Sequence, residues 1–378
     1  MSKKRAHGDG GIEPRGENGW RLRYRLNGRR FTVTFHGNKG EALKELRRLI
    51  KSGEDGQHVD PSKIALADFL DRWERDWASG NVSGKTLETY AHHLKHVRRH
   101  LGTMTLQRLQ PVDFATLYAR LLRDGEDSLA ARTVGHIHRI VHRALGHAVQ
   151  WGLLRQNPTD AVDPPRVADT EIEILQPEHL QTILNKLRGR SIYPIAALAV
   201  ATGMRRGELL ALRWKDVDID ASRLRVERSV EQTKSGLAFK SPKTKHGRRT
   251  IALPASTVTE LRSHWKAQQE QRIALGRGKS SPDDLVFPTW DGHTRSPNAL
   301  TKEWSVLMDN LGLVATFHSL RHTHASQLIA SGLDVITISR RLGHGSPSIT
   351  LGVYGHLFPN TDDRAAEIME ASFLKGRE

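Results

Sequence analysis

The chain has 378 residues, 58 Lys and Arg against 42 Asp and Glu, a formal net charge of +16 and no cysteine. That length exceeds one comfortable core and predicts two or three domains, while the basic excess points to a polyanion, nucleic acid first. The missing cysteines exclude disulfides, thiolate nucleophiles and Cys-ligated zinc; no stretch reaches the ~18 apolar residues of a membrane span, and no signal-type apolar segment follows the basic N-terminus.

The first predicted element is a hairpin. Trp20, Leu22, Tyr24 and Leu26 alternate with Arg21, Arg23 and Arg25, Asn27-Gly28 supplies a two-residue turn, and Phe31, Val33 and Phe35 alternate on the return. Ala42, Leu46 and Leu49 then recur at helical spacing, giving a helix that covers the apolar side. The arginine face either lies along a DNA groove or is simply solvated. Residues 52–56 (SGEDG) read as a linker.

A helical block is predicted from about 63 to 160. Leu87, Tyr90, Leu94, Val97 and Leu101 repeat behind Ser83, and a second stripe runs through Val134, Ile137, Val141, Ala144, Ala148 and Trp151. Other faces carry Lys95, Arg98, Arg99, Arg132, Arg139 and Arg143, so the block is either a DNA-binding surface or a plain helical bundle. Asn157-Pro158, Pro164-Pro165 and the stretch to Glu173 read as a second linker.

Beyond it, helices are predicted at 177–188 and 192–201, β-structure over 223–253, and further helices over 297–375. Residues 221–250 hold nine Lys/Arg against two Asp/Glu, which places them on or near phosphate. An apolar helix ends at Gly203 and a new one starts near Arg205, putting an arginine beside free backbone N–H groups. His318 and Arg321 are three apart and share a helical face. Asp334 opens and Gly343 closes a helix before His344; Ser346 and Pro347 open another that ends at Tyr354.

The ordered set Arg205, a hairpin lysine, His318-x-x-Arg321, His344 and Tyr354 closely resembles the phage-integrase family of tyrosine recombinases. The segments TGMRRGELLALRW, HSLRHTHAS, LGH and YGHLFP carry the likeness, which is strongest over residues 173–360. The resemblance implies a multidomain α+β protein. Residues 1–55 would be an arm-type DNA-binding module of three strands and a helix, 63–160 an all-α core-site DNA-binding domain, and 173–378 a mostly α catalytic domain with a small sheet and hairpin.

It further implies that Arg205 and Arg321 grip the scissile phosphate, that His318 helps remove the tyrosine proton, that His344 hydrogen-bonds the phosphate, and that Tyr354 is the nucleophile. Lys243 fits best as the lysine that protonates the departing 5′ oxygen, with Lys245 as its rival. Glu208 either orients Arg205 or forms an exposed salt bridge. Two transesterifications through a 3′-phosphotyrosine need neither ATP nor metal, so no cofactor is expected. The partners implied are double-stranded attachment sites, four protomers in the synaptic complex, an excision factor and a host DNA-bending protein. The setting implied is the cytoplasm of a bacterial host, at the nucleoid.

Three rivals are open to simple tests. His92, His96 and His100, like His318 and His322, have ligand-capable spacing, but no HExxH pattern or accompanying carboxylate supports a metal. A type IB topoisomerase shares the chemistry but has no use for an arm-like module, and a binding-only regulator predicts loss of a catalytic position. The segment 361–375, with Ala366, Ile368, Met369, Phe373 and Leu374, is expected to dock on a neighbour or to pack on its own chain.

Overall fold

The computed structural model describes residues 10–16, 18–26, 28–54, 59–123, 125, 128–168, 172–242, 245–358 and 362–374. The chain forms two compact units, residues 1–169 and 170–378.

The first unit holds two separate cores. One lies under an antiparallel sheet of β1 (Gly11–Pro14), β2 (Gly19–Leu26) and β3 (Arg29–His36), in that spatial order. The register sets Leu22 opposite Ile12 and Val33, and Tyr24 opposite Phe31, so one face is apolar. Helix α1 (Lys39–Glu54) closes that face with Ala42 and Leu46. Leu26 pairs with Arg29 across Gly28, whose φ of 79° is the left-handed geometry such a tight turn needs; Asn27 lies outside the described residues.

The other core is a helical bundle. Helix α2 (Leu66–Trp73) runs on through a π turn (Glu74–Ala78) and the short α3 (Ser79–Asn81). It packs with α4 (Gly84–Leu101), α5 (Pro111–Leu122) and α6 (Ala131–Gln150). Ser83 caps α4 by accepting the Thr86 N–H. Trp73 sits at the centre, stacked on Tyr90 and donating Nε1–H to His147 Nδ1 at 2.7 Å.

The second unit begins with α7 (Pro177–Leu187), the almost wholly apolar α8 (Tyr193–Thr202) and the short α9 (Arg206–Leu210). Among the described residues its β-structure comprises two sheets. Strands β4 (Val217–Asp218), β5 (Arg223–Val226) and β8 (Arg249–Ala252) form one, and the hairpin of β6 (Ser229–Thr233) and β7 (Gly236–Lys240) forms the other. Residues to which the sequence pattern gives no element form α10 (Ala255–Ala274). Its buried positions, Val258, Leu261 and Gln268, are too sparse to make an apolar stripe.

Then come α11 (Pro297–Leu311), α12 (Ser319–Ala330), α13 (Val335–Leu342), α14 (Pro347–Tyr354) and α15 (Asp362–Leu374). One core gathers α7 to α11 with the sheet, and a smaller one gathers Ala325, Ile329, Ile338, Leu342 and Tyr354. Along α15 the described side chains, Ile368 and Met369 among them, are exposed; those of Phe373 and Leu374 lie outside the described set. Among the described residues no helix is long and apolar enough to cross a membrane.

Candidate active site

Five helix ends of the second unit carry the site. Helix α8 stops at Gly203, whose φ of 64° reverses the chain; a Cβ there would stand 2.6 Å from the His324 ring and 2.8 Å from Leu342. The reversal places Arg205 at the N-cap of α9. Arg206, its neighbour, turns away and donates to the Pro297 carbonyl. Helix α13 stops in the same manner at Gly343, φ 68°, which delivers His344.

Glu208 organises the first arginine. Its carboxylate accepts the Arg205 backbone N–H at 2.9 Å and the Arg205 Nη1 at 3.0 Å. It also takes both ends of the Arg249 guanidinium, at 2.9 and 3.2 Å. Glu208 is buried, so this is no exposed surface pair. Burial alone would raise its pKa, but the hydrogen bonds and charge of Arg249, then of Arg205, hold it below the usual carboxylate range. Arg205 is pinned once more, Nη2 donating to the Gly343 carbonyl at 3.2 Å.

Arg321 is 3% exposed, and its Nη1 donates to the Gly203 carbonyl at 2.6 Å. Its Nη2 is buried and, among the described residues, has no hydrogen-bond partner. Burial and the nearby Arg205 both work against its charge. A buried guanidinium beside a second one, with one donor unused, is a site built for an anion that can accept from both.

Three histidines surround it. His318 and His344 are each pushed down to about 4, first by burial; His322 and then Arg321 add to this at His318, and Arg321 and Arg205 at His344. Both are therefore neutral near pH 7. His344 Nδ1 shares a 2.7 Å hydrogen bond with the buried Thr350 hydroxyl, which fixes its ring. His318, at the N-cap of α12, meets the His322 ring edge to face at 4.7 Å.

Tyr354, the last residue of α14, is 1% exposed. Its hydroxyl and His322 Nδ1 lie 2.8 Å apart. Burial raises its pKa, while Arg321 and then Arg205 pull it down. The structure thus brings Arg205, His318, Arg321, His344 and Tyr354 into one electrostatic neighbourhood. Lys243 lies outside the described residues; of Lys245 only the backbone is described, in a 3-10 turn, Lys245–Gly247. A cavity of about 350 Å³ lined by Arg205, Glu208, Lys240, Pro242, Gly247 and Gly343 opens beside that segment.

Two residues of the site were not singled out by the sequence reading. His322 appeared there only as half of a metal-type spacing with His318, and the same i, i+4 spacing is what brings the two rings together edge to face. Arg249 is one of nine cations in a short stretch, and nothing local marks it as the one that turns inward. Among the described residues there is no metal-type cluster of His and carboxylates.

The other predicted DNA contacts divide. In the first unit Arg23 and Arg25 are exposed on the open face of the sheet and Arg21 half-buried, with Arg23 paired to Glu13 at 2.8 Å. Lys95, Arg99, Arg139 and Arg143 are exposed on the bundle. Arg143 reaches the Tyr90 hydroxyl at 3.0 Å and His93 stacks on His136, so Arg139 and Arg143 flank the seam between α4 and α6. Arg98 differs: it is bound to Asp71 at 2.8 Å and to Glu74, tying α4 to α2.

Comparison with known proteins agrees with this geometry. The model of the phage integrase family matches residues 173–361. The chain is 27% identical, over 92% of its own length and 94% of the relative's, to a tyrosine recombinase XerC-like protein of Caldanaerobacter subterraneus subsp. tengcongensis. It is 28% identical to an integrase of Streptomyces ambofaciens, over 100% of this chain and 99% of that one. In fold it resembles the Tn1549 transposon integrase in complex with circular intermediate DNA, with TM-score 0.69 and 19% identity over 82% of this chain and 99% of that one. It also resembles a lambda integrase tetramer bound to a Holliday junction, with TM-score 0.54 and 19% identity over 89% and 96%. The chain belongs to the phage integrase family and is a tyrosine recombinase, a site-specific enzyme of DNA recombination.

Proposed function

We propose that this enzyme integrates and excises a mobile element by joining Tyr354 to a 3′ phosphate of DNA. The observation that carries the reading is the unpartnered Nη2 of buried Arg321, beside Arg205 and within the same neighbourhood as Tyr354. A phosphodiester placed there would accept from both guanidiniums, whose planar forks match its two non-bridging oxygens. His344, neutral and held by Thr350, donates a third hydrogen bond. Lys243, or else Lys245, protonates the departing 5′ oxygen.

The reaction exchanges one phosphodiester for another. Tyr354 Oη bonds to phosphorus as its proton passes to a histidine of the site, the bond to the 5′ oxygen breaks, and a 5′-hydroxyl of the partner duplex later reverses the step. Each exchange is close to isoenergetic, so no external energy source enters. The domains are those of the sequence reading: residues 1–55 hold arm-type sites through Arg21, Arg23 and Arg25, 63–160 grip core DNA through Lys95, Arg99, Arg139 and Arg143, and 173–378 carry the chemistry. Four protomers act together on two duplexes, in the cytoplasm of a bacterial host at its nucleoid. An excision factor and a host DNA-bending protein set direction.

The test is a nicked duplex carrying the junction of the element that encodes the chain. Incubated with the protein and denatured, it yields a covalent protein–DNA adduct; Tyr354→Phe yields none. Wild-type protein that binds this duplex and forms no adduct refutes the reading.

A further inference from the structure

We propose that His324 and Arg341 are positioning residues for strand cleavage. Together they cap the carboxyl end of α8 and fix the turn from which both phosphate-gripping arginines are aimed. This deepens the reading above and rests on it. Helix α8 ends at Thr202, and the last turn of any helix leaves carbonyls that the helix itself cannot bond. Two other helices supply the donors here. His324 of α12 donates Nδ1–H to the Val200 carbonyl at 2.7 Å, and Arg341 of α13 donates Nη2 to the carbonyls of Ala201 and Ala252 at 3.0 and 3.3 Å. A cation at this end of a helix also meets the negative pole of its dipole.

One bond joins the two caps. Arg341 Nε donates to His324 Nε2 at 3.0 Å, and a guanidinium has only donors, so Nε2 carries a lone pair and the imidazole proton sits on Nδ1, facing Val200. The charged groups acting on this buried ring are Arg341 from α13 and Arg321 on its own helix. Burial and then Arg341 push it down to about 4, so it is neutral near pH 7. Neither the imidazolium nor the other tautomer could hold Val200 and Arg341 at once.

The cap reaches the phosphate site through the backbone. Just past α8 the Gly203 carbonyl accepts Arg321 Nη1 at 2.6 Å, and Arg205 follows at the N-cap of α9. The His324 ring stands against Gly203 so closely that a Cβ would not fit. Arg341 lies in the last turn of α13, whose end delivers His344 and whose Gly343 carbonyl accepts Arg205 Nη2. Without the cap the end of α8 is freed from the end of α13, and the spacing of Arg205, Arg321 and His344 about a phosphate is no longer set. Both residues act at a distance from the reacting atoms, so their loss should slow cleavage without loosening the DNA held by the basic faces.

The test compares Arg341→Met, Arg341→Lys and His324→Gln with wild type on the nicked duplex. It reads affinity at fixed salt and, separately, the single-turnover rate of adduct formation at saturating protein. Ile183→Ala, a core change in α7 of the same unit, controls for lost stability, and every rate is taken below the variant's melting range. We expect Arg341→Met and His324→Gln to bind as wild type does and to react about 10- to 100-fold more slowly. Arg341→Lys keeps the charge but cannot bridge a carbonyl and the histidine together, so its rate should fall between. Ile183→Ala should keep its rate. A full saturated rate in Arg341→Met, affinity lost in step with rate, or an equal slowing in Ile183→Ala overturns the proposal and leaves the recombinase reading standing. No adduct from wild type overturns both. Should Arg341→Met and His324→Gln fail to fold, Arg341→Lys and the 15N shifts of His324 in wild type decide. Slowing, with Nδ1 protonated and Nε2 bare at pH 7, supports the cap; a full rate or the opposite tautomer refutes it.

Discussion

Arg249 and Glu208 form a two-pronged ion pair, Nη2 at 2.9 Å and Nη1 at 3.2 Å from the two carboxylate oxygens, with both side chains buried. The pair is a structural relay. Arg249 also donates Nε to the Arg341 carbonyl at 2.7 Å, and Glu208 holds the backbone and guanidinium of Arg205. Strand β8, the end of α13 and the start of α9 are thereby locked at the point where Arg205 is aimed.

Arg249→Met is expected to leave Glu208 buried with half of its partners and to cost about 3–5 kcal/mol in local stability. Hydrogen exchange of the α9 and β8 amides reads this without assuming that the whole chain unfolds in one step. Arg249→Lys keeps the charge and loses the fork, so it should bind DNA and slow adduct formation by about 10- to 100-fold. Unchanged exchange and unchanged rate in both variants would show that Arg205 is positioned by something else.

Acid should weaken the free protein before it weakens the complex. His318 and His344, about 4 when folded, sit below the ~6.5 of an unfolded histidine, so between these values the unfolded chain binds more protons. Stability therefore rises with pH through that window, is complete above about 6.5, and is lost as pH falls towards 4. Glu208, also lowered, adds a loss that begins below its unfolded value of about 4.3. A bound phosphodiester supplies the missing negative charge and raises the histidines, so the melting temperature of the DNA complex should fall less between pH 6.5 and 5 than that of free protein. Parallel curves would mean that the duplex does not place a phosphate here.

How far the site could be read from sequence follows from its punctuation. Arg205, His344 and Tyr354 all stand at helix ends, and Gly203, Gly343, Asp334 and Pro347 mark those ends in the chain itself. The bundle was legible because Leu94, Val97, Val134 and Ile137 repeat at helical spacing and all are buried. Arg249 and Arg98 were not legible, since their partners lie 41 residues away at Glu208 and 27 and 24 residues away at Asp71 and Glu74. A charge run shows how many cations there are; which of them turns inward is decided by a carboxylate elsewhere.

Two glycines in left-handed helix caps separate backbone strain from site geometry. Gly343 and Gly312 have φ of 68° and 63°, so alanine at either costs about 1–2 kcal/mol in backbone strain. Among the described residues a Cβ at Gly312 meets nothing within 4 Å, whereas one at Gly343 stands 2.7 Å from Arg249 Nη1. Gly312→Ala should lose stability and keep its rate of adduct formation. Gly343→Ala should lose at least tenfold in rate as well, by displacing the guanidinium that holds Glu208. Equal rates in the two variants would remove Arg249 from the account of Arg205.

The basic faces make a prediction that separates phosphate contacts from structural cations. Each phosphate contact releases counterions and contributes about 0.9 to the slope of log affinity against log salt. Replacing Lys95, Arg139 or Arg143 with Ala should flatten that slope on core DNA by about 0.9 each and leave stability almost unchanged. Replacing Arg21, Arg23 and Arg25 together should flatten it by about 2.7 on arm DNA, because the Arg23–Glu13 pair is exposed and holds little energy. Arg98→Ala should do the reverse. It strands half-buried Glu74, costs about 1–3 kcal/mol of bundle stability, and leaves the salt slope where it was. If Arg98→Ala flattens the slope as much as Lys95→Ala, then Arg98 lets go of Asp71 and Glu74 when DNA arrives, and its ion pairs hold only the free state.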